Sequence, residues 1–422
     1  MNDLGPALLE LEVPEHRPGF FDELRDGLGG RSPARVARPR LLLVAAVAAV
    51  VAGALAFSLT RGSDVASAAQ VRAAVERALA STGSISGVFV NNESGDPDAA
   101  GVRSRFTASS TGAFRLDGLT FASVKAYDPA TNVESISDDD GSLFVRITGL
   151  APGPPDSAPA NLVAYARGLG SVVAALAAAS DPKVEEVTYD GRPAWLFSAP
   201  TGNEGEQRRV TVDRETGVPV RNDLIRDGKI SSGWRIEGLR VSPTVTAIAP
   251  LEPRPGQDTT TYDVGFRRVS PSEARSLAEY TPLVPQHLPS GFTLSAVAYA
   301  ASSHATFEED GGNPPSLDVV SFAYRRGFDE IVVTTRRTDS SPGTSAADWQ
   351  DPLHVSTAPA SEPAQITFTG GELAGQTGKL VIEPDELPHI WTAGPELVVT
   401  VAGTIDRDEL LQVANSLQAA GR

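Results

Sequence analysis

Cysteine is absent from the 422-residue sequence, and lysine is scarce, occurring only as Lys125, Lys183, Lys229 and Lys379. The absence of cysteine excludes disulfides, thiolate nucleophiles, cysteine-type zinc sites and a lipidated N-terminal cysteine. Positive charge is also in deficit, since the net charge is −17. An acidic chain is a poor partner for nucleic acid, because phosphate binding requires a basic surface.

Motifs for catalysis and metal binding are missing as well. Residues 371–379 resemble a phosphate loop, but Leu373 stands where such a loop needs glycine. Leu380 stands where it needs serine or threonine after the lysine. Residues 83–87 have isoleucine where a nucleophile elbow needs serine, and the acidic turn at 138–141 lacks the ligand spacing of an EF-hand. The four histidines in the C-terminal half of the sequence are too widely spaced for a zinc site: His287, His304, His354 and His389. We therefore expect no enzymatic activity, no cofactor and no metal.

One long apolar run is present, LLLVAAVAAVVAGALAFSLT at residues 41–60. A helix of this length spans roughly 30 Å, the thickness of one hydrocarbon core. The preceding arginines are Arg31, Arg35, Arg38 and Arg40, whereas only Arg61 follows directly. The positive-inside rule then predicts a cytoplasmic N-terminus and an extracytoplasmic 62–422. The alternative is a cleaved signal peptide, with Ala66-Ser67-Ala68 as the processing site.

The cytoplasmic tail, residues 1–40, contains a short amphipathic segment, HRPGFFDELRDGLGG. Phe20, Phe21, Leu24 and Leu28 share one side of the predicted helix. The acidic opposite side suits a protein groove better than an anionic lipid surface. These four residues are therefore candidate contacts for a cytoplasmic protein, and a disordered tail is the alternative.

Residues 64–242 are predicted to combine helices with many short strands. The first helix, SAAQVRAAVERALAST, has an apolar face formed by Ala68, Val71, Val75, Ala78 and Leu79, and a second is expected in NLVAYARGLGSVVAALAAA. The strand candidates are SISGVFV, RSRFTAS, GAFRLDG, FASVKAY, SLFVRIT, VEEVTYDGRPAWLFSAP, QRRVTVDRETGVPVRNDLI and ISSGWRIEGLRV. This order of elements predicts an α+β fold with a curved antiparallel sheet, a half-barrel, packed on helices.

A proline-rich linker is predicted at 243–268, followed by a second, smaller α+β domain at 269–420. Ser270, Pro271 and Glu273 have the pattern of a capping box at the start of its first helix, and Asp406 with Glu409 has that pattern at its last. The strands between them are expected in FTLSAVAYA, LDVVSFAYRRG, DEIVVTTRRT, QITFTG, GKLVIEP, HIWTAG and ELVVTVAGTI.

Aromatic residues recur along the strands of the first domain. A half-barrel over helices often leaves an apolar cavity, and such cavities bind apolar ligands. The candidate lining residues are Phe89, Phe106, Phe114, Phe121, Phe144, Trp195 and Phe197. The alternative for each is that it simply fills the core.

These features resemble the fold shared by the lipoprotein carrier LolA and the N-terminal domain of the MucB/RseB sigma-factor regulators. The resemblance lies in the opening helix, in VEEVTYDGRPAWLFSAP and in VTVDRETGVPVRNDLI. LVPQHLPSGFTL and LVVTVAGTIDRDELLQVANSL resemble the small domain that follows in such regulators. The resemblance implies a non-enzymatic module that responds to lipid or lipoprotein and acts on a sigma or anti-sigma protein. This chain departs from the family in having its own predicted membrane anchor and tail.

Three functions follow as expectations. The first is a single-pass regulator of envelope signalling, which binds a lipid, an acylated protein or a protein partner outside the membrane. The second is a membrane-tethered lipid or lipoprotein carrier. The third is a surface scaffold or adhesion protein.

Overall fold

The computed structural model describes residues 67–92, 101–120, 123–138, 141–150, 184–200, 205–303, 316–338, 363–382 and 387–421. The amphipathic tail, the apolar run 41–60 and the second predicted helix of the first domain lie outside them. No helix within the described residues is long and apolar enough to cross a membrane. The described architecture is α+β, with large antiparallel sheets and few helices.

The first sheet has twelve described strands. They are β1 (Ser84–Asn92), β2 (Val102–Ser109), β3 (Phe114–Gly118), β4 (Val124–Asp128), β5 (Val133–Ser137), β6 (Leu143–Thr148), β7 (Val184–Tyr189), β8 (Arg192–Pro200), β9 (Glu206–Asp213), β10 (Pro219–Arg226), β11 (Lys229–Ser242) and β12 (Asp258–Asp263). Their order is β12-β6-β5-β4-β3-β2-β1-β11-β10-β9-β8-β7. All neighbours pair antiparallel except β12, which runs parallel to β6.

Helix α1 (Ala68–Ser81) covers one face of this sheet. Its N-terminus has a capping box in which the side chains and backbones of Ser67 and Gln70 bond reciprocally. The predicted apolar face is confirmed, since Val71, Val75 and Leu79 are buried in the first core.

The sheet is strongly curled at its β7 end. The Tyr189 hydroxyl donates to the carbonyl of Ile236 on β11 (3.1 Å), and the Asp190 carboxylate accepts from the Gly238 amide (2.8 Å). Because β10, β9 and β8 separate β7 from β11 in the strand order, the turn of the β7–β8 hairpin must fold back to reach that strand.

The strands of the second sheet are β13 (Arg267–Arg268), β15 (Thr293–Ser303), β16 (Ser316–Arg326), β17 (Asp329–Thr338), β18 (Ala364–Thr367), β19 (Thr377–Val381), β20 (His389–Ala393) and β21 (Leu397–Gly403). Their order in the sheet is β13-β15-β16-β17-β21-β20-β19-β18. A short ribbon joins β14 (Leu283–Pro285) to β22 (Leu417–Ala419). The helices are α2 (Pro271–Leu277) and α3 (Arg407–Asn415), with a 3-10 turn at Gly371–Leu373.

The predicted capping boxes have different outcomes. At α2, Ser270 and Glu273 bond reciprocally as predicted, with Pro271 in the first turn. At α3, the Asp406 side chain accepts from the Glu409 amide at 2.8 Å, and no reciprocal bond runs from the Asp406 amide to the Glu409 carboxylate. Asp406 is therefore an N-cap without the full box, and its second oxygen binds Arg72 of α1.

The predicted linker contains regular structure. Residues 258–263 form β12 on the edge of the first sheet, and Arg267–Arg268 form β13 on the second. Between them, the Val264 and Phe266 amides donate to the carbonyls of Thr148 and Gly149 at 3.0 and 2.9 Å. A hydrogen-bonded strap therefore connects the two sheets.

Candidate functional site

Most of the described cavity-lining candidates lie in the core under the first sheet. Phe89, Phe106, Phe114 and Phe197 are buried in one cluster with the apolar face of α1, and Trp195 packs at its margin. Phe144 on β6 is fully buried but does not belong to this cluster. Phe121 and the tail candidates Phe20, Phe21, Leu24 and Leu28 lie outside the described residues.

The rings of this core are in direct contact. Phe89 meets Phe106 edge-on with centroids 6.3 Å apart, and it stacks on Trp234 at 5.9 Å. Phe114 stacks on Tyr127 at 5.9 Å. Such pairs add about 0.5–1.5 kcal/mol each to the free energy of burial. An apolar ligand could enter here only by repacking these rings.

A turn of the second sheet reaches this first core. The β16–β17 hairpin has a two-residue loop, Gly327-Phe328, and the side chain of Phe328 packs against the first core. The Phe328 amide donates to the carbonyl of Leu79 at 2.8 Å. That carbonyl lies in the last turn of α1, where backbone acceptors have no partner within the helix. Gly327 has φ of +60°, the value that a type II′ turn requires at its first loop position.

Charged side chains surround this junction. Arg72 of α1 pairs with Glu76 on its own helix at 2.6 Å and with Asp406 at the start of α3. Below the hairpin turn, Arg326 pairs with Asp329 at 2.9 Å. Burial raises the pKa of Asp329 to about 6, against the opposing effect of Arg326. We call the contacts of Arg72, Leu79, Gly327, Phe328 and Asp406 the helix–hairpin junction.

Sequence reasoning missed the junction and also Trp234. The sequence does contain an indication for Phe328, which lies between glycine and aspartate in a tight turn. A phenylalanine in a turn cannot pack in the core beneath its own strand, so it is a candidate for contact with another element. Trp234 lies between Gly233 and Arg235 in a strand already predicted. Within the described part of the chain, no group of three or more potential ligand side chains could hold a metal ion.

Neither a scan of protein-family models nor a search of curated proteins gives a match. Solved structures similar to the chain include MucB in complex with MucA(peri), at 17% identity and a TM-score of 0.27, covering 84% of this chain and 100% of that one. The complex of Pseudomonas aeruginosa MucA/MucB has the same identity and TM-score, and covers 84% and 99% of the two chains. An uncharacterized conserved protein from Thermus thermophilus matches at 12% identity with a TM-score of 0.29, over 46% of this chain and 99% of its own.

Proposed function

We propose that this chain is a non-enzymatic, single-pass regulator of envelope signalling. In this proposal residues 41–60 cross the membrane, and residues 62–422 lie outside and bind a lipid, an acylated protein or a protein partner. The N-terminal tail transmits the signal to a sigma or anti-sigma protein. The observation that carries the proposal is the contact of Phe328, on the second sheet, with the core of the first.

This contact provides a route for coupling. Protein cores are close-packed, so a ligand that enters beside Phe89 and Phe106 must move neighbouring side chains. Phe328 packs against the same core cluster, and its backbone amide donates to the Leu79 carbonyl. Binding at the first sheet would thereby change the energy of the second, which is the requirement for a two-site switch.

The ligand arm of the proposal is tested with the full-length chain in nanodiscs. A peptide bearing a palmitoyl chain with a terminal diazirine is photo-crosslinked, and the modified residues are mapped by mass spectrometry. We expect crosslinks within β1, β2 and β11, and none with an unacylated peptide. Crosslinks confined to other strands would contradict the proposed site.

The coupling arm is read by hydrogen exchange of the β16–β17 hairpin. Adding the acylated peptide should change exchange at Phe328 and its neighbours, and Phe328→Ala should abolish the change. Leu294→Ala is the matched control, since Leu294 is an exposed apolar residue on β15 of the same sheet. An unaltered response in Phe328→Ala would disprove coupling through this contact.

A membrane-tethered carrier is the second candidate, and the aromatic core itself favours it. Deleting residues 1–30 while keeping 41–60 separates the two. The deletion should abolish a transcriptional response if the chain is a regulator, and it should leave crosslinking of the acylated peptide intact in both cases. Robust hydrolase or transferase turnover by the purified chain would contradict both candidates.

A further inference from the structure

The opposite face of the first sheet has an arrangement of charge that the aromatic core does not explain. Arg103 on β2, Val90 on β1, Arg235 on β11 and Arg221 on β10 are successive cross-strand partners. Cross-strand partners project from the same face, so these side chains form one row. Four neighbouring strands at a spacing of about 4.8 Å make this row about 14 Å wide. Val90 lies beneath the row with no exposed surface.

Two more arginines extend the row. Arg105 follows Arg103 by two positions and therefore shares its face, and Arg209 pairs across strands with Asp223. We call this surface the arginine face; it consists of Arg103, Arg105, Arg209, Arg221 and Arg235 with Asp223 and Glu237. Five arginines and two carboxylates give it a net charge of +3, in a chain whose net charge is −17. On the neighbouring β3, Asp117 lies directly opposite Arg105 but pairs with Arg115 at 2.9 Å, so this pair leaves the net charge unchanged.

The two carboxylates do not neutralise the face. Glu237 accepts from Arg103 at 2.6 and 3.3 Å and from Arg235 at 3.2 Å. Asp223 pairs with Arg221 at 2.7 Å. Arg105 and Arg209 are exposed, and no described acidic side chain forms an ion pair with either. Moreover, Arg221 lies directly opposite Arg235, and like charges in that position destabilise a sheet. Arg105 and Arg209 therefore take no part in the ion pairs that hold the face together.

The chemistry of the face indicates what it binds. A guanidinium group donates two parallel hydrogen bonds to a carboxylate, as Arg103 does to Glu237. The exposed large apolar residues of the described chain are Val102, Leu119, Leu143, Val245, Tyr262 and Leu294. None of them lies on β1, β10 or β11, and Val102 alternates with Arg103 and so projects from the other face of β2. Leu119, whose amide donates to the carbonyl of Arg103 at 2.8 Å, is the one of them that lies beside the row. A membrane-binding surface would need an apolar face beside its arginines, and a single side chain does not form one.

We propose that the arginine face is a docking surface for a carboxylate-rich segment of a partner protein. The inference rests on the proposed function and names the chemistry of its protein partner. The remaining surface of this acidic chain repels such a segment, so the arginine face sets the position and orientation of docking. Because Arg105 and Arg209 are exposed, salt screens their attraction for the segment, with a screening length of about 8 Å at physiological ionic strength.

The test uses the full-length chain in nanodiscs of zwitterionic phosphatidylcholine and a fluorescein-labelled peptide of alternating glutamate and serine. Fluorescence anisotropy should report binding that weakens as salt rises. The double variant Arg105→Glu with Arg209→Glu should weaken binding by at least about tenfold, since 1.4 kcal/mol corresponds to that factor. Both side chains are exposed, so the fold should persist, which the thermal unfolding midpoint checks.

The matched control is Arg77→Glu with Arg254→Glu, which changes the net charge equally at exposed residues elsewhere. It should leave binding within about twofold, because charges beyond a screening length contribute little. Absence of peptide binding, or an equal loss in the control, would overturn the proposal. The proposal would also be overturned if the chain bound phosphatidylglycerol vesicles but not the peptide, and if this binding required Arg105 and Arg209. The arginine face would then be a membrane-binding surface.

Failure here is distinguishable from failure of the proposed function. Crosslinking of the acylated peptide to β1, β2 and β11 concerns the other face of the sheet and should persist in the double arginine variant. If crosslinking fails while the acidic peptide binds, the aromatic site is wrong and the arginine face stands.

Discussion

The backbone amide of Phe328 donates to the carbonyl oxygen of Leu79 at 2.8 Å, so a turn of the second sheet caps the C-terminal end of α1. The adjacent glycine makes this approach possible. A Cβ atom on Gly327 would lie 2.2 Å from that same carbonyl oxygen and 2.7 Å from that of Ala80. Helix capping and contact between the two sheets are therefore one interaction.

Gly327→Ala should destabilise the chain strongly. A side chain at φ of +60° costs about 1–2 kcal/mol on its own, and the clash with the Leu79 carbonyl adds to it. Gly228→Ala is the control, because Gly228 has φ of +76° and no atom within 4 Å of its Cβ position. The thermal unfolding midpoint should fall clearly more for Gly327→Ala than for Gly228→Ala. Equal decreases would mean that the helix–hairpin junction accommodates the added methyl group without loss of stability.

Asp406 combines two roles that substitution can separate. Asn is a good N-cap, so Asp406→Asn should retain the bond from the Glu409 amide and lose only the charge that binds Arg72. Asp406→Ala loses both, and should cost about 1 kcal/mol more. A double-mutant cycle with Arg72→Gln, read from denaturant unfolding, isolates the ion pair. A coupling energy of zero would contradict a contribution of this pair to the junction.

Glu134 on β5 should make stability depend on pH. Burial raises its pKa from 4.5 to about 7, with Lys125 acting in the opposite direction. The folded state thus binds the proton more tightly than the unfolded state, so stability falls as pH rises from about 4.5 to 7. The full effect is on the order of 3 kcal/mol. Glu134→Gln should raise the unfolding midpoint at pH 8 and flatten the profile between pH 5 and 8.

An opposite profile is expected for Glu237. Its hydrogen bond with Arg103 lowers its pKa, so its contribution is present at neutral pH and is lost as pH falls below the ordinary value. Glu237→Gln should therefore lower the unfolding midpoint at pH 7 more than at pH 3. If both glutamine variants shift the midpoint equally at every pH, the assigned environments are wrong.

Asp190 should hold the curl of the first sheet. Asp190→Ala removes the acceptor of the Gly238 amide, which costs about 1 kcal/mol. Asp227→Ala is the control, because Asp227 also precedes glycine in a hairpin turn with a positive φ, 52° against 48° for Asp190. The rate of hydrogen exchange at the Gly238 amide should rise only in Asp190→Ala. If this amide stays protected from exchange in Asp190→Ala, the curl of the sheet does not depend on the bond between Gly238 and Asp190.

Local patterns predicted much of the fold. The face of α1 and the Ser270 capping box depend on residues within a few positions of one another, and the structure confirms both. β5 and β12 were missed, since their sequences, VESIS and DTTTYD, have little apolar alternation and gain order from pairing with neighbours. At Asp406 the predicted N-cap bond forms without its reciprocal, and the local pattern did not indicate Arg72, a distant residue that binds the second Asp406 oxygen. The helix–hairpin junction was missed for the same reason, since its partners lie far apart in sequence.

The strap between the sheets has a mechanical consequence. β12 and β13 belong to different sheets and are separated by residues 264–266, which span at most about 11 Å when fully extended. A force that pulls the second sheet away from the first along β12 therefore loads the parallel β12–β6 ladder lengthwise. When a strand is pulled along its length, all the hydrogen bonds of the ladder bear the load at the same time. When a strand is pulled away sideways, the hydrogen bonds break one after another. The strap should therefore resist tension between the two sheets and should not act as a hinge.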